Sequence, residues 1–380
     1  FRKALIDAVG GLREGFEGGQ DHDLLLRCVA KLADPARQVV HIPRVLYHWR
    51  SSKGSTALAG SEKSYAAQAG LKAVNDFLKT RSDGAEAEAG CFPNTFRVRY
   101  PIPEPAPLVS LLVPTRNGVE ILRPCVDAIL ERTDYRHFEL LILDNQSDCL
   151  ETLAYMDEVQ RRDERVRVIR WDHPFNYSAI NNFGARHAKG CILGLINNDI
   201  EPINSDWLSE MVSHAVRPEV GCVGAKLYYP NHKVQHGGVI LGLGGVAGHS
   251  HKFADRDAPG YFYRLMLAQN LSAVTGACLL LRKEVFEEVG GLEEQHLKIA
   301  FNDVDLCLKV REAGYWNVWT PYAEAIHHES VSRGKEDTPE KQARFASEVA
   351  YMKKRWQHRL QNDPAYNPNL TLAFEDFSLR

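Results

Sequence analysis

Gly190-Cys191-Ile192-Leu193-Gly194-Leu195-Ile196-Asn197-Asn198-Asp199 is an apolar run that ends in two amides and one carboxylate. An apolar run of about six residues, opened by a glycine and closed by turn formers, predicts a buried strand. Asn and Asp favour turns for local reasons alone. A carboxylate at the C-terminal end of a strand in an open α/β sheet also lies where such sheets take ligands. Asp199 is therefore a candidate to hold a divalent cation through its oxygens.

The flanking sequence supports the strand. Residues 108–113 read as another apolar strand, ending at Pro114-Thr115-Arg116-Asn117-Gly118. Ile121, Leu122, Cys125, Val126, Ile129 and Leu130 then line one face of a helix. A strand over 139–143 ends at Asp144-Asn145, another covers 166–171, and 180–188 fits a helix leading into the opening run. Strands alternating with helices predict a mostly parallel, Rossmann-like sheet with helices on both faces. Asp144 and Asp199 then share the C-terminal edge, where a nucleotide and its metal would bind. Further on, 207–216, 284–289, 303–313 and 341–360 read as helices, and 220–227 and 272–281 as strands. The last twenty residues carry no pattern.

The chain has 380 residues, 44% hydrophobic and 25% charged, which suits a folded protein of two units. A net charge of −3 lacks the basic footprint of nucleic-acid binding, so no nucleic-acid partner is expected. No apolar run is long enough to span a bilayer. Eight cysteines without a C-x-x-C pair suit reduced, buried thiols in a cytoplasmic protein rather than a disulfide framework or a zinc site. The chain starts at Phe1 without a Met or signal peptide and reads as cut from something longer. Peripheral membrane association through parts not present is compatible with that reading.

A repeat organises the whole. Phe1-Arg2-Lys3 and Val9-Gly10-Gly11-Leu12 recur as Leu281-Arg282-Lys283 and Val289-Gly290-Gly291-Leu292, a shift of 280. Gln20-Asp21-His22-Asp23-Leu24 answers Asn302-Asp303-Val304-Asp305-Leu306, and His48-Trp49-Arg50-Ser51 answers His327-His328-Glu329-Ser330. Residues 1–80 are thus expected to be the C-terminal part of an earlier, similar module. Residues 81–107, ending in the proline-rich run from Pro101 to Pro107, read as a linker. Residues 108–340 read as a complete module and 341–380 as a C-terminal helix and tail. The first copy lacks a counterpart of Asn197-Asn198-Asp199 and is expected to be inactive by itself.

Pro114-Thr115-Arg116-Asn117, Asp144, Asn197-Asn198-Asp199, Gly276-Ala277, Asn302-Asp303-Val304-Asp305 and His327-His328-Glu329-Ser330 occur in the order seen in family 2 glycosyltransferases. The complete module resembles their GT-A fold. The resemblance implies inverting transfer of a sugar from a nucleotide-sugar donor to a hydroxyl of a saccharide or lipid-linked saccharide acceptor. It places that chemistry in bacterial cell-surface polysaccharide synthesis, in the cytoplasm or at the inner face of the cytoplasmic membrane. It makes Asp199 the carboxylate ligand of Mg2+ or Mn2+ and His327 a nitrogen ligand, since such a cation neutralises developing phosphate charge. Asp303 becomes the general base, although carboxylates at a helix start also cap it. Asp144 would hydrogen-bond the base or ribose, with Pro114, Thr115, Arg116, Asn117, Asn182, Asn197 and Asn198 also on the nucleotide.

The repeat separates the two histidines, because His48 falls opposite His327 and Trp49 opposite His328. Asn197 and Asn302 stand where the family usually has acids. With one carboxylate left in the triplet, metal and nucleotide are expected to bind together and poorly apart. The same replacements motivate an alternative, a carbohydrate- or partner-binding scaffold that has lost catalysis. A third reading, a dehydrogenase, rests on Gly242-Leu243-Gly244-Gly245-Val246-Ala247, which fits a dinucleotide fingerprint. The polar run His249-Ser250-His251-Lys252 and then Pro259-Gly260 cannot form the long apolar helix that a fingerprint needs after it. A flexible loop near the acceptor site is expected there instead.

Overall fold

The structure, a computed structural model, describes residues 1–48, 64–81, 83–328 and 338–380, which form two compact units, Phe1–Pro101 and Ile102–Arg380. The first unit holds helices α1 (Lys3–Ala8), α2 (Gln20–Ala30), α3 (Pro35–Gln38) and α4 (Ser64–Lys79), then strands β1 (Glu86–Ala89) and β2 (Phe96–Arg99). The two strands pair as an antiparallel hairpin inside the segment read as a linker. Asn75 on α4 explains its order. Its side chain donates to the Ala87 carbonyl at 3.0 Å and accepts the Ala87 N–H at 2.8 Å, replacing a strand partner. A four-residue Glu-Ala-Glu-Ala strand has no apolar face to announce it.

The second unit begins with β3 (Val109–Thr115), α5 (Val119–Arg132), β4 (Phe138–Asp144), α6 (Leu150–Arg162), β5 (Val166–Arg170), α7 (Tyr177–His187) and β6 (Ile192–Ile196). It continues with β7 (Ile200–Pro202), α8 (Trp207–Ala215), β8 (Val220–Tyr228), β9 (Val234–His236), β10 (Val239–Leu241), β11 (Ala247–His249) and β12 (Gln269–Leu271). Last come β13 (Cys278–Arg282), α9 (Lys283–Glu288), α10 (Asn302–Glu312), β14 (Trp316–His327) and α11 (Pro339–Gln361). The main sheet runs β12-β14-β8-β13-β6-β3-β4-β5, with β7 on β14 and β9 on β8. From β6 to β5 it is parallel, as expected. Beyond β6 it is mixed, because β13 lies antiparallel between β6 and β8. Cys278 therefore pairs with Ile196, and the turn before β13 arrives where β6 ends.

Alternation along each strand splits the core into two layers. Val109, Leu111 and Val113 face one layer with Leu122, Met156, Trp207 and Met211, while Leu112 faces the other with Ile180, Leu306, Met352 and Trp356. Helices α5, α6 and α8 thus cover one face, and α7, α10 and α11 the other.

Three sequence readings change. Residues 272–281 are not one strand, since the chain turns at Gly276-Ala277 before β13. β14 was not expected, because Pro321 and the polar Asn317, Thr320 and Glu324 break its apolar pattern. It pairs with β8 across a register shift between Trp319 and Glu324, which accommodates the proline. The glycine-rich 242–247 segment closes the β10–β11 hairpin and leads into a strand, not a helix. Gly242 has φ +83°, and a Cβ there would lie 2.4 Å from the Leu360 carbonyl, so this turn sits against the end of α11. The patternless tail also packs, burying Leu370 and Phe377 with Ile240 and Leu243.

The two units share local geometry where their sequences match. Gly10 and Gly11 have φ +76° and +66°, and Gly290 and Gly291 have +78° and +64°. Gly11 N–H donates to Ile6 O at 3.0 Å, and Gly291 N–H to Phe286 O at 2.8 Å, ending α1 and α9 alike. Helices α2 and α10 both span eleven residues, and Asp23 and Asp305 occupy one buried position in them. Trp49, Arg50, Ser51, Glu329 and Ser330, the rest of the third matching block, lie outside the described residues.

Candidate active site

Asp199 is placed by the way the chain leaves β6. Asn197 N–H donates to the Ala277 carbonyl at 2.9 Å, turning the chain into β7. There β7 pairs with the end of β14, setting His327 opposite Ile200, and His328 N–H donates to the Asp199 carbonyl at 3.0 Å. His327 Nε2 consequently stands 3.2 Å from Asp199 Oδ1. That oxygen is buried and lacks a hydrogen-bond donor, because the imidazole approaches it without the alignment a hydrogen bond needs. His328 turns away to Glu201, 3.3 Å from its Nε2.

A buried carboxylate oxygen without a donor, facing an imidazole nitrogen, fits a divalent cation. It does so with two protein ligands only. Among the described residues no group of three or more His, Cys, Asp or Glu side chains could hold a metal. Mg2+ and Mn2+ prefer oxygen-rich shells of about six ligands, so the rest of such a shell would have to come from outside these two side chains.

Asp303 begins α10, and its two oxygens accept different backbone donors. Oδ2 takes Gly276 N–H at 2.8 Å and Oδ1 takes Val304 N–H at 2.8 Å. Capping and availability coexist, since the carboxylate is only half-buried and forms no ion pair among the described residues. Asp305 differs. It is fully buried, accepts Trp356 Nε1–H at 2.8 Å, and lies 3.5 Å from Arg355 and 3.6 Å from Lys309. It ties α11 to α10 and is closed to a substrate. Tyr177 completes the Asp303 side: its hydroxyl donates to the Gly276 carbonyl at 3.0 Å. Burial first, then the Asp303 and Asp199 charges, push its phenol pKa upward, so it stays protonated.

At the neighbouring strand ends, Thr115 of β3 and Asp144 of β4 are register partners. Asn198 Nδ2–H donates to Thr115 Oγ1 at 3.1 Å, joining the β3 end to the Asp199 turn. Asp144 is nearly buried, accepting Ser147 N–H at 3.0 Å and pairing with Arg170 at 2.9 Å. Pro114 is buried within β3, whereas Arg116 is exposed without a polar partner among the described residues. Asn117 has φ +51° and accepts the Asp148 and Cys149 N–H groups at 3.0 Å, fixing the approach to α6. Asn182 lies elsewhere in the network. It grips Leu292 through both backbone groups at 2.9 Å and reaches Glu294 at 3.0 Å, fastening α7 to the segment before α10.

Sequence reading missed Tyr177, Arg170 and Gln235. Tyr177 lies in the run ahead of Asn182, Arg170 ends β5 beside Asp144, and Gln235 opens the glycine- and histidine-rich stretch. Resemblance put the run Phe175-Asn176-Tyr177-Ser178 near the nucleotide without giving Tyr177 a role, and Arg170 and Gln235 had no pattern linking them to the site. A concavity at the opposite end of the strands, between Pro107, Gly190, Cys191 and Lys283, holds none of the candidate side chains.

Comparison with known proteins bears on the family and the fold. The family described as Glycosyl transferase family 2 matches residues 110–290. The Sinorhizobium fredii protein y4gI is 53% identical over 380 residues, all of this chain and 42% of that protein. The O-antigen biosynthesis protein RfbC of Myxococcus xanthus is 40% identical over 380 residues, again all of this chain but 29% of its own length. The chain thus spans less than half of either relative. The structure of GalNAc-T7 with UDP, GalNAc and Mn2+ shares the fold with a TM-score of 0.53 at 14% identity, over 67% of this chain and 50% of that one.

Proposed function

Residues 110–290 being a glycosyl transferase family 2 domain in a chain of GT-A fold, we propose that this protein transfers a sugar, with inversion, from a nucleotide-sugar donor to a saccharide hydroxyl. Its setting would be cell-surface polysaccharide synthesis at the cytoplasmic side of the membrane, with a saccharide or lipid-linked saccharide as acceptor. One observation supports the reading: Asp303, half-buried and without a cationic partner among the described residues, accepts the N–H of Gly276, whose neighbour Ala277 meets the chain at Asn197, two residues before Asp199. The Asn197–Ala277 hydrogen bond links the two halves.

In this reading Asp303 takes the proton of the acceptor hydroxyl as its oxygen bonds to the anomeric carbon. The bond from that carbon to the diphosphate oxygen breaks, and the diphosphate leaves with the electron pair. Gly276 N–H aims Asp303, and the Tyr177 hydroxyl fixes the Gly276 turn. Asp199 and His327 would hold Mg2+ or Mn2+, which offsets charge on the departing diphosphate. Thr115, Asn198 and Asp144, oriented by Arg170, would face the nucleoside.

A second reading has a specific observation behind it. Asn197 Nδ2 lies 3.3 Å from His327 Nε2, so an amide can satisfy that nitrogen without a metal, as a non-catalytic binding scaffold would need. Thermal shift across UDP-, GDP- and dTDP-sugars, with and without Mn2+, followed by NMR of the product anomer, tests both. Mn2+-dependent stabilisation and an inverted product are expected. Sugar-nucleotide binding indifferent to Mn2+, with no transfer, supports the scaffold, and no binding across the panel overturns both.

A further inference from the structure

Gln235 lies in a stretch that the transfer chemistry leaves unused, yet it is 3% exposed and its Oε1 is 2.7 Å from His327 Nδ1. A carbonyl oxygen only accepts, so Nδ1 must carry the proton. On the other side of the ring Asn197 Nδ2, a donor, faces Nε2 at 3.3 Å, so Nε2 must bear the lone pair. With the two amides oriented as they are, both neighbours favour the same tautomer. That tautomer turns the Nε2 lone pair to the side where Asp199 Oδ1 sits without a donor, 3.2 Å away. Two lone pairs held together in this way repel until a metal cation or a proton lies against both.

We propose that Gln235 is a positioning residue that locks His327 in its Nδ1–H tautomer and so prepares Nε2 to receive the divalent cation of the nucleotide complex. The cation part rests on the proposed function, whereas the tautomer does not. The neighbouring His236 holds the other half of the site. It is fully buried, its Nδ1 lies 2.7 Å from His249 Nδ1, and its Nε2 accepts Thr275 N–H at 3.4 Å. Thr275 precedes the Gly276 that donates to Asp303. Strand β9 thus braces the His327 side with one residue and the Asp303 side with the next. Partners that fix a metal-binding imidazole are worth roughly 10- to 100-fold in metal affinity.

The test uses the whole chain labelled with 15N-histidine, with His327→Asn assigning the resonance. Wild type is expected to show a protonated Nδ1 and an unprotonated Nε2 without any metal. Gln235→Met should shift His327 toward a mixture of tautomers, while Gln235→Glu, which keeps the accepting oxygen, should retain the Nδ1–H form. Calorimetry with Mn2+ plus UDP, GDP or dTDP should then show at least about tenfold weaker binding for Gln235→Met. Thermal melts establish that each variant is folded. A wild-type Nε2–H tautomer overturns the proposal, as does Gln235→Met with unchanged tautomer and unchanged Mn2+ binding. Failure of wild type to bind Mn2+ with any nucleotide overturns the cation part and the functional reading together, and the spectrum alone then decides the tautomer.

Discussion

Gly276 donates its N–H to Asp303 Oδ2 at 2.8 Å, and a methyl built on its Cα would lie 3.2 Å from the Asp303 Cβ. The glycine is therefore both a partner of that carboxylate and the space it occupies. Replacing the carboxylate and crowding it should differ in severity. Asp303→Asn removes the proton acceptor, so kcat should fall about 10²- to 10⁴-fold with nucleotide affinity little changed. Gly276→Ala leaves the base present but displaced, and its kcat should drop less. Steady-state kinetics with separately measured nucleotide affinity check both, and full turnover in Asp303→Asn removes it as the base.

Metal and nucleotide should bind as one unit. Asp199 offers one buried oxygen without a donor, and His327 one nitrogen, too few ligands for a tight site alone. Calorimetry should find weak Mn2+ binding to the free protein and tighter binding with a nucleoside diphosphate. Asp199→Asn should weaken the ternary complex while leaving metal-free nucleotide affinity nearly intact. Tight Mn2+ binding without nucleotide contradicts this.

The parallel half of the sheet was legible because β3, β4 and β6 are buried along their whole length and are mostly apolar, with Ser110 and Glu139 the polar residues inside β3 and β4. Asp144 and Asp199 then followed from strand ends. The other half resisted for a physical reason. β14 carries Pro321 and polar residues that satisfy one another through tertiary contacts, such as Asn317 with Ser272 and Cys307. No local pattern encodes those partners. Asn182 adds a contact that no local pattern encodes: its side chain bonds both backbone groups of Leu292, which is remote in sequence. The choice of Asp303 over Asp305 rested on resemblance; the structure adds that Asp305 is fully buried whereas Asp303 is half-buried.

Acid should destabilise the second unit through His251. Its ring stacks 4.4 Å from Phe377, and its Nε2 accepts the Tyr261 N–H at 3.2 Å. Burial, followed by the nearby Arg264 and Lys226 charges, lowers its pKa from 6.5 to about 4. Between these values the unfolded chain binds a proton that the native protein refuses. The stability is fully present above about pH 6.5 and is lost as pH falls toward about 4, a change of up to about 3 kcal/mol. Urea midpoints measured across that window should fall in wild type and fall less steeply in His251→Gln. Buried His236, also held well below its usual value by burial, leaves a residual slope. Equal slopes in the two proteins exclude His251 as a source.

Trp356 should prove a stability residue rather than a functional one. Its indole N–H is the hydrogen bond to Asp305 Oδ1, at 2.8 Å, while Asp305 Oδ2 is buried with no hydrogen-bond partner. Arg355 and Lys309, at 3.5 and 3.6 Å, supply charge without that alignment. Trp356→Phe keeps most of the ring in the core but leaves Asp305 Oδ1 without its indole hydrogen bond, and should cost about 1–3 kcal/mol. In the Trp356→Phe background Asp305→Asn has no indole bond left to weaken, so the double variant should cost less than the two single changes summed. Asp303 is held separately, by Gly276 and Val304, so kcat per folded molecule should change little in Trp356→Phe. Urea denaturation of the four proteins of the cycle measures the coupling. Strict additivity means that the indole and the carboxylate do not support each other, and α11 is then anchored by its apolar face alone.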